Sequence, residues 1–261
     1  MRKCSVKRVI ALAAILLMLA PAAFAAESPS VTAFRVASPV VIDGVIDDQW
    51  NVTSPVVIDS EEQIVRDPHM WQGPMDASLK AYLAWDEDNL YIAAEVAEDS
   101  PFGAIDMLPM DGKDNFELYL STNPKDDPER KTYSATDFRV FFALDGEYWD
   151  TAIDRSMVAD HQRFVSKGMD GGENVLDGFE CAAVKNASGF IYEAKIPWEC
   201  FSNQNIARYT PQAGDTVKFD FLITDIGYPC PGTQYIPQLA WTGDANINTD
   251  PSLWGNLVFS D

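Results

Sequence analysis

Lys113-Asp114-Asn115-Phe116-Glu117-Leu118-Tyr119-Leu120-Ser121 alternates cleanly. Phe116, Leu118 and Leu120 fall on one side of an extended chain, and Asn115, Glu117, Tyr119 and Ser121 on the other. A period of two marks a β-strand with one face on a core. The apolar face needs a second layer to cover it. The opposite face carries a carboxylate, an amide and a phenol, groups that can grip a polar ligand. Glu117 also has a plainer reading, as a solvated strand residue or the partner of a nearby cation.

The same alternation recurs on both sides. In residues 136–143, Phe138, Val140 and Phe142 share one face and Arg139 lies on the other. In residues 215–225, Val217, Phe219, Phe221 and Ile223 point one way. Residues 79–85 and 90–96 read as a hairpin around Asp86-Glu87-Asp88-Asn89, and residues 178–185 and 190–197 as another around Asn186-Ala187-Ser188-Gly189. A short strand at Val40-Val41-Ile42 ends at an Asp43-Gly44 turn, and Asp47 caps a single helical turn that carries Trp50 inward. Residues 61–77 and 100–112 read as loops, and residues 157–178 as a long surface connection. Roughly ten to twelve short strands with regular turns and almost no helical period predict an all-β chain. The expected architecture is an antiparallel β-sandwich, jelly-roll or immunoglobulin-like, in a single domain.

The first 25 residues read as a secretory signal. Arg2, Lys3, Lys7 and Arg8 precede an apolar run from Ile10 to Ala20, and Ala23-Phe24-Ala25 is a cleavage site. The expected domain is therefore residues 26–261, in a secreted or periplasmic protein. The whole chain has 40 acidic and 19 basic residues, a net charge of −21. Cleavage removes four basic residues and no acids, which leaves 15 against 40, or −25. Such a charge argues against nucleic acid and anionic membranes, which select basic surfaces. It offers carboxylates to a hard cation such as calcium. Cys181, Cys200 and Cys230 remain after cleavage, in a spacing that matches no zinc pattern. An oxidising compartment permits one disulfide among them.

Several stretches together carry a family resemblance. Ile42-Asp43-Gly44-Val45-Ile46-Asp47-Asp48-Gln49-Trp50 is similar to the opening signature of carbohydrate-binding module family 9 and its DOMON-like relatives. Trp85 to Ile92 resembles that family's acidic hairpin, and Gly189 to Trp198 its strand ending in Ile-Pro-Trp. Trp241 and the run Asp250-Pro251-Ser252-Leu253-Trp254-Gly255-Asn256-Leu257 resemble its final element. The resemblance spans residues 40–259 and implies a non-catalytic module that recognises a xylan- or cellulose-class polysaccharide. It also implies structural calcium, with Asp43, Asp47, Asp86, Asp88 and Asp114 the acids inside matched motifs. Partners implied are carbohydrate and a glycoside hydrolase or cell-envelope protein.

The resemblance places the family's strand glutamate on Glu117 and its arginine on Arg139, with Asn115 beside them. Its two clamp tryptophans fall on Asp111 and Asn248, so both are absent here. Trp71 has two readings, as a platform for a sugar ring or as a cover for the sandwich edge. Catalytic templates fail: there is no G-x-S-x-G elbow, phosphate loop, dinucleotide fingerprint or H-E-x-x-H, and His69 and His161 are the only histidines. No enzymatic activity is expected. Two alternatives stay open. The same sandwich resembles the haem-carrying subunit of certain periplasmic oxidoreductases, for which Met107, Met110 and Lys113 would supply axial ligands. An envelope interaction or adhesion domain that lost its sugar is the other.

Overall fold

A computed structural model describes residues 28–50, 52–100, 114–145, 148–154, 164–167, 178–202, 206–226 and 236–261; within 143–167 it describes the backbone alone. The signal segment lies outside these residues. Fourteen strands occur among those described. The first seven are β1 (Ser30–Arg35), β2 (Val56–Ile58), β3 (Ile64–Arg66), β4 (Ala77–Trp85), β5 (Asn89–Glu98), β6 (Asn115–Ser121) and β7 (Asp137–Asp145). The rest are β8 (Tyr148–Asp154), β9 (Phe164–Lys167), β10 (Glu180–Asn186), β11 (Gly189–Pro197), β12 (Thr216–Thr224), β13 (Gln238–Ala240) and β14 (Gly255–Phe259).

They form two layers. The first runs β10-β11-β5-β4 and the second β14-β12-β6-β7-β8-β9. β1 belongs to both. Ser30 to Ala33 pair with β14, and Phe34 and Arg35 pair with β4, in each case parallel. Every other pairing is antiparallel. The all-β sandwich is therefore as expected, with one parallel seam where the chain crosses between layers.

Alternation explains the core. Phe116, Leu118 and Leu120 of β6, Phe138, Val140 and Phe142 of β7, and Val217, Phe219, Phe221 and Ile223 of β12 all face the first layer and are buried. Leu83, Ile92, Tyr192 and Ile196 meet them from the other side. Phe116 stacks on Phe142 with centroids 4.5 Å apart and meets Tyr192 edge-on at 5.5 Å. Such pairs contribute about 0.5–1.5 kcal/mol each beyond their buried area. Cys181 and Cys200 pack half-buried against this core, and Cys230 lies outside the described residues.

Two sequence motifs meet at one carboxylate. Glu193 of β11 is fully buried, and its Oε2 accepts from the backbone N–H of Asp43 at 2.9 Å and of Gly44 at 2.7 Å. Its Oε1 accepts from the Trp50 indole at 2.8 Å. Trp50 closes a single 3-10 turn, Asp48–Trp50, that Asp47 caps through Gln49 N, as expected. The Val40–Ile42 strand is not present. That backbone bends to place the Asp43 and Gly44 amides on Glu193 rather than in a ladder, and Gly44 takes φ +78 in the bend.

Other expectations change with pairing. Ile64–Arg66 is a strand rather than loop, since β13 offers it a ladder partner. Phe164–Lys167, inside the expected long connection, pairs with β8. β1, β2 and β13 carry no clear alternation; neighbouring strands select their extended form.

Candidate functional site

The outer face of the second layer carries the polar side of the opening strand. It is not solvated. Asn115, Glu117, Tyr119 and Ser121 are all buried. Tyr119, Leu222, Ala240, Ile247 and Trp254 form a small outer cluster, with Tyr133 and Leu253 packed on it. This corrects the expectation of an open polar surface. The segment after β13 folds back across the strands, and its Trp254 indole is fixed by the Ile247 carbonyl at 2.6 Å.

Glu117 sits at the centre of this face. Its Oε2 accepts from the Tyr119 hydroxyl at 2.6 Å and from Arg139 Nε on the adjacent strand. The Arg139 guanidinium lies over the Phe141 ring, 4.3 Å from its centroid. Burial opposes the charge on Arg139, but Glu117 and Tyr119 outweigh it and raise the guanidinium pKa. Burial, and then Glu117, push the Tyr119 phenol well above its usual range, so it stays protonated and donates. Glu117 Oε1 is buried with no hydrogen-bond partner among the described residues. Along the same face Gln238 Nε2 donates to Thr224 Oγ1 at 3.1 Å, and Thr224 lies opposite Asn115. Asn248 is exposed on the rim, directly after the buried Ile247.

A second group lies at the strand ends. Glu98 ends β5, Asp114 precedes β6 and Asp225 follows β12, so the two layers meet there. One carboxylate oxygen from each lies within 4.8 Å of the others, and all three residues are buried. Asp114 Oδ1 accepts from Ile226 N at 2.7 Å and Glu98 Oε1 from Ser100 N at 2.9 Å. Asp225 Oδ1 has no hydrogen-bond partner among the described residues. Burial, with Asp114 and Asp225 alongside, pushes the Glu98 carboxyl up to about 9. Burial, with Asp76 and Asp99, pushes Asp225 up to about 7. Converging buried oxygens with an orphaned acceptor are what a hard cation requires.

The family model described as "Carbohydrate family 9 binding domain-like" matches residues 42–261. The chain belongs to that family. Two curated relatives of this family 9 domain are an endo-1,4-beta-xylanase A of Thermoanaerobacterium saccharolyticum and the exoglucanase XynX of Acetivibrio thermocellus. The first is 27% identical over 221 residues, covering 84% of this chain and 15% of the relative. The second is 26% identical over 235 residues, covering 90% and 18%. The chain thus spans less than a fifth of the length of the curated relatives it matches. A family 9 module of Caldicellulosiruptor kristjanssonii, solved in complex with cellotriose, has a TM-score of 0.59 at 18% identity, over 89% of this chain and 94% of that one. That likeness is one of fold.

The other expected site residues of this family 9 domain lie apart from the acid triad. Asp43 caps its own turn through Val45 N, and Asp47 caps the Trp50 turn. Asp86 accepts from Asn89 N and from the Tyr91 hydroxyl, and Asp88 pairs with Arg208. Trp71 packs against the intersheet core and donates its indole N–H to the Ala77 carbonyl at 2.9 Å. Asp111, Met107, Met110 and Lys113 lie outside the described residues. Glu98 and Asp225 were not singled out in the sequence. Their one signal is position: Glu98 is the last residue of β5 and Asp225 directly follows β12.

Proposed function

We propose that this family 9 domain is a non-catalytic carbohydrate-binding module for xylan- or cellulose-class sugars. The sugar is taken on the outer face through half-buried Arg139 and exposed Asn248, and reaches the buried Glu117 and Asn115 only where the cover over that face yields. The observation that carries this reading is the buried Glu117 Oε1. Its partner oxygen is fixed by Arg139 and Tyr119, while Oε1 accepts nothing among the described residues. A buried acceptor left unsatisfied costs about 1–3 kcal/mol. A sugar hydroxyl is the donor that would satisfy it. The names of the relatives, a xylanase and an exoglucanase, support the sugar class and an accessory role beside a glycoside hydrolase in an exported protein.

Calcium belongs to the same proposal. Glu98, Asp114 and Asp225 would hold it, and it would supply the positive charge that joins the layers at that end. Glycan-array binding in calcium buffer, followed by titration with xylo- and cello-oligosaccharides, tests the reading. Binding that is lost in folded Glu117→Ala and Arg139→Ala variants supports it. A blank array with folded protein overturns it.

A further inference from the structure

A cavity lies farther along the outer face of the second layer. It begins at Ser121, four residues along β6 from Glu117, or about 13 Å at the strand rise. Its volume is about 230 Å³. That is below the range of about 300–1,000 Å³ for drug-sized ligands and suits a single small ring. Ser121 and Lys218 are its buried members, and Pro124, Pro128 and Thr216 stand exposed at its mouth. The proline rings bring apolar C–H surface, and the interior brings polar groups.

No single charge dominates the space. Arg130 is paired with Asp137 through two nitrogens. Lys218 is answered from farther off by Glu129, Asp220 and Asp250, although burial holds its pKa below the usual lysine range. Asp126 meets uncharged donors, the Asn123 amide and the hydroxyls of Ser134 and Thr136. An entering anion would meet Asp126, and an entering cation would meet Lys218. An apolar molecule would strip water from both and return no hydrogen bond, which is costly.

The hydrogen-bonding capacity left at the cavity is of both kinds. Lys218 Nζ donates to the carbonyls of Trp254 at 2.8 Å and Ser252 at 3.2 Å, and an ammonium has three N–H groups. Asp126 accepts from three donors, where an ionised carboxylate has about four acceptor sites. Among the described residues, a donor on Lys218 and an acceptor on Asp126 therefore remain. A hydroxyl both donates and accepts. Two hydroxyls on neighbouring ring carbons match this pair without adding charge, while the C–H face of the ring lies against proline.

We propose that this cavity binds a single neutral pyranose, with one hydroxyl on Lys218 and its neighbour on Asp126, as a second sugar site separate from Glu117. It does not depend on how Glu117 is used. NMR titration of the full chain with D-glucose, D-xylose, acetate and methylammonium tests it. The amide shifts of Ser121, Lys218 and Asn256 report the cavity, and those of Asn115 and Glu117 report the proposed function separately. A neutral sugar should shift the cavity amides and saturate in the millimolar range, while the two ions should not. Lys218→Met should weaken that binding about tenfold, the loss expected for one hydrogen bond. Thr216→Trp, at an exposed position lining the same cavity, should block it while leaving Lys218 in place. That variant decides the matter if Lys218→Met does not fold. Binding of both sugars supports a site for pyranoses at large, and binding of one a site selective for it. Absence of cavity shifts with either sugar, equal or tighter binding of acetate or methylammonium, or sugar binding that survives Lys218→Met or Thr216→Trp unchanged overturns the proposal.

Discussion

Glu117 and Glu193 are both fully buried glutamates, and their surroundings separate their roles. Glu193 uses both oxygens on three donors, Asp43 N, Gly44 N and Trp50 Nε1. It is a fastener that ties the segment before β2 to β11. Glu193→Gln replaces one acceptor by a donor and leaves at least one of those N–H groups unmatched, so it should lower stability by about 1–3 kcal/mol in urea unfolding. Glu117 uses one oxygen on an arginine and a phenol and leaves the other unmatched. Arg139→Met strands that carboxylate in the interior and should cost about 3–5 kcal/mol by the same measurement. Gly189 shows the limit of a backbone. Its φ is +145, and a Cβ there would stand 2.1 Å from the Val96 carbonyl oxygen. Gly189→Ala should therefore destabilise by more than about 1 kcal/mol, since the obstacle is a strand and not a movable side chain.

At the scale of elements, the ends of β5, β6 and β12 carry the acid triad, and their stability should depend on pH and metal. The folded pKa values of Glu98 and Asp225, about 9 and about 7, lie above their ordinary values of 4.5 and 3.8. The folded state therefore binds more protons than the unfolded chain between those limits. The resulting stability is fully present below about pH 4 and is lost as pH rises through 7 and towards 9. In chelator, the melting temperature should fall across that window. Calcium binds the ionised form, so adding it at pH 8 should restore the melting temperature. A flat melting temperature with and without calcium would remove the triad from consideration as a cation site. Asp220 on β12, also raised to about 7 by burial, adds a metal-independent slope of the same sign. Asp220→Asn should flatten that part alone.

At the scale of the whole molecule, β1 pairs with both layers. Neither sheet is complete without it, and the intersheet core is shared. Far-ultraviolet circular dichroism and tryptophan fluorescence should report one coincident unfolding transition. Two separated transitions would mean that the layers are independent units. Among the described residues no helix is long and apolar enough to cross a membrane.

Alternation in β4 to β7, β11 and β12 was enough to determine the two-layer class and the identity of the core. A period of two fixes which side chains point inward wherever one face is buried. The resemblance marked Glu117, Arg139 and the Trp50 turn. What lay beyond the sequence was whatever depends on a distant partner. The cover over Tyr119 on the outer face comes from the segment after β13, whose Trp254 packs on its ring. Val40–Ile42 lost its strand because Glu193, some 150 residues later in the chain, takes the amides beside it. Ile64–Arg66 gained a strand because β13 lies next to it. Glu98, Asp114 and Asp225 are scattered in sequence and converge only where two layers end together. Local pattern encodes the direction of each side chain; only the packed structure decides what that side chain meets.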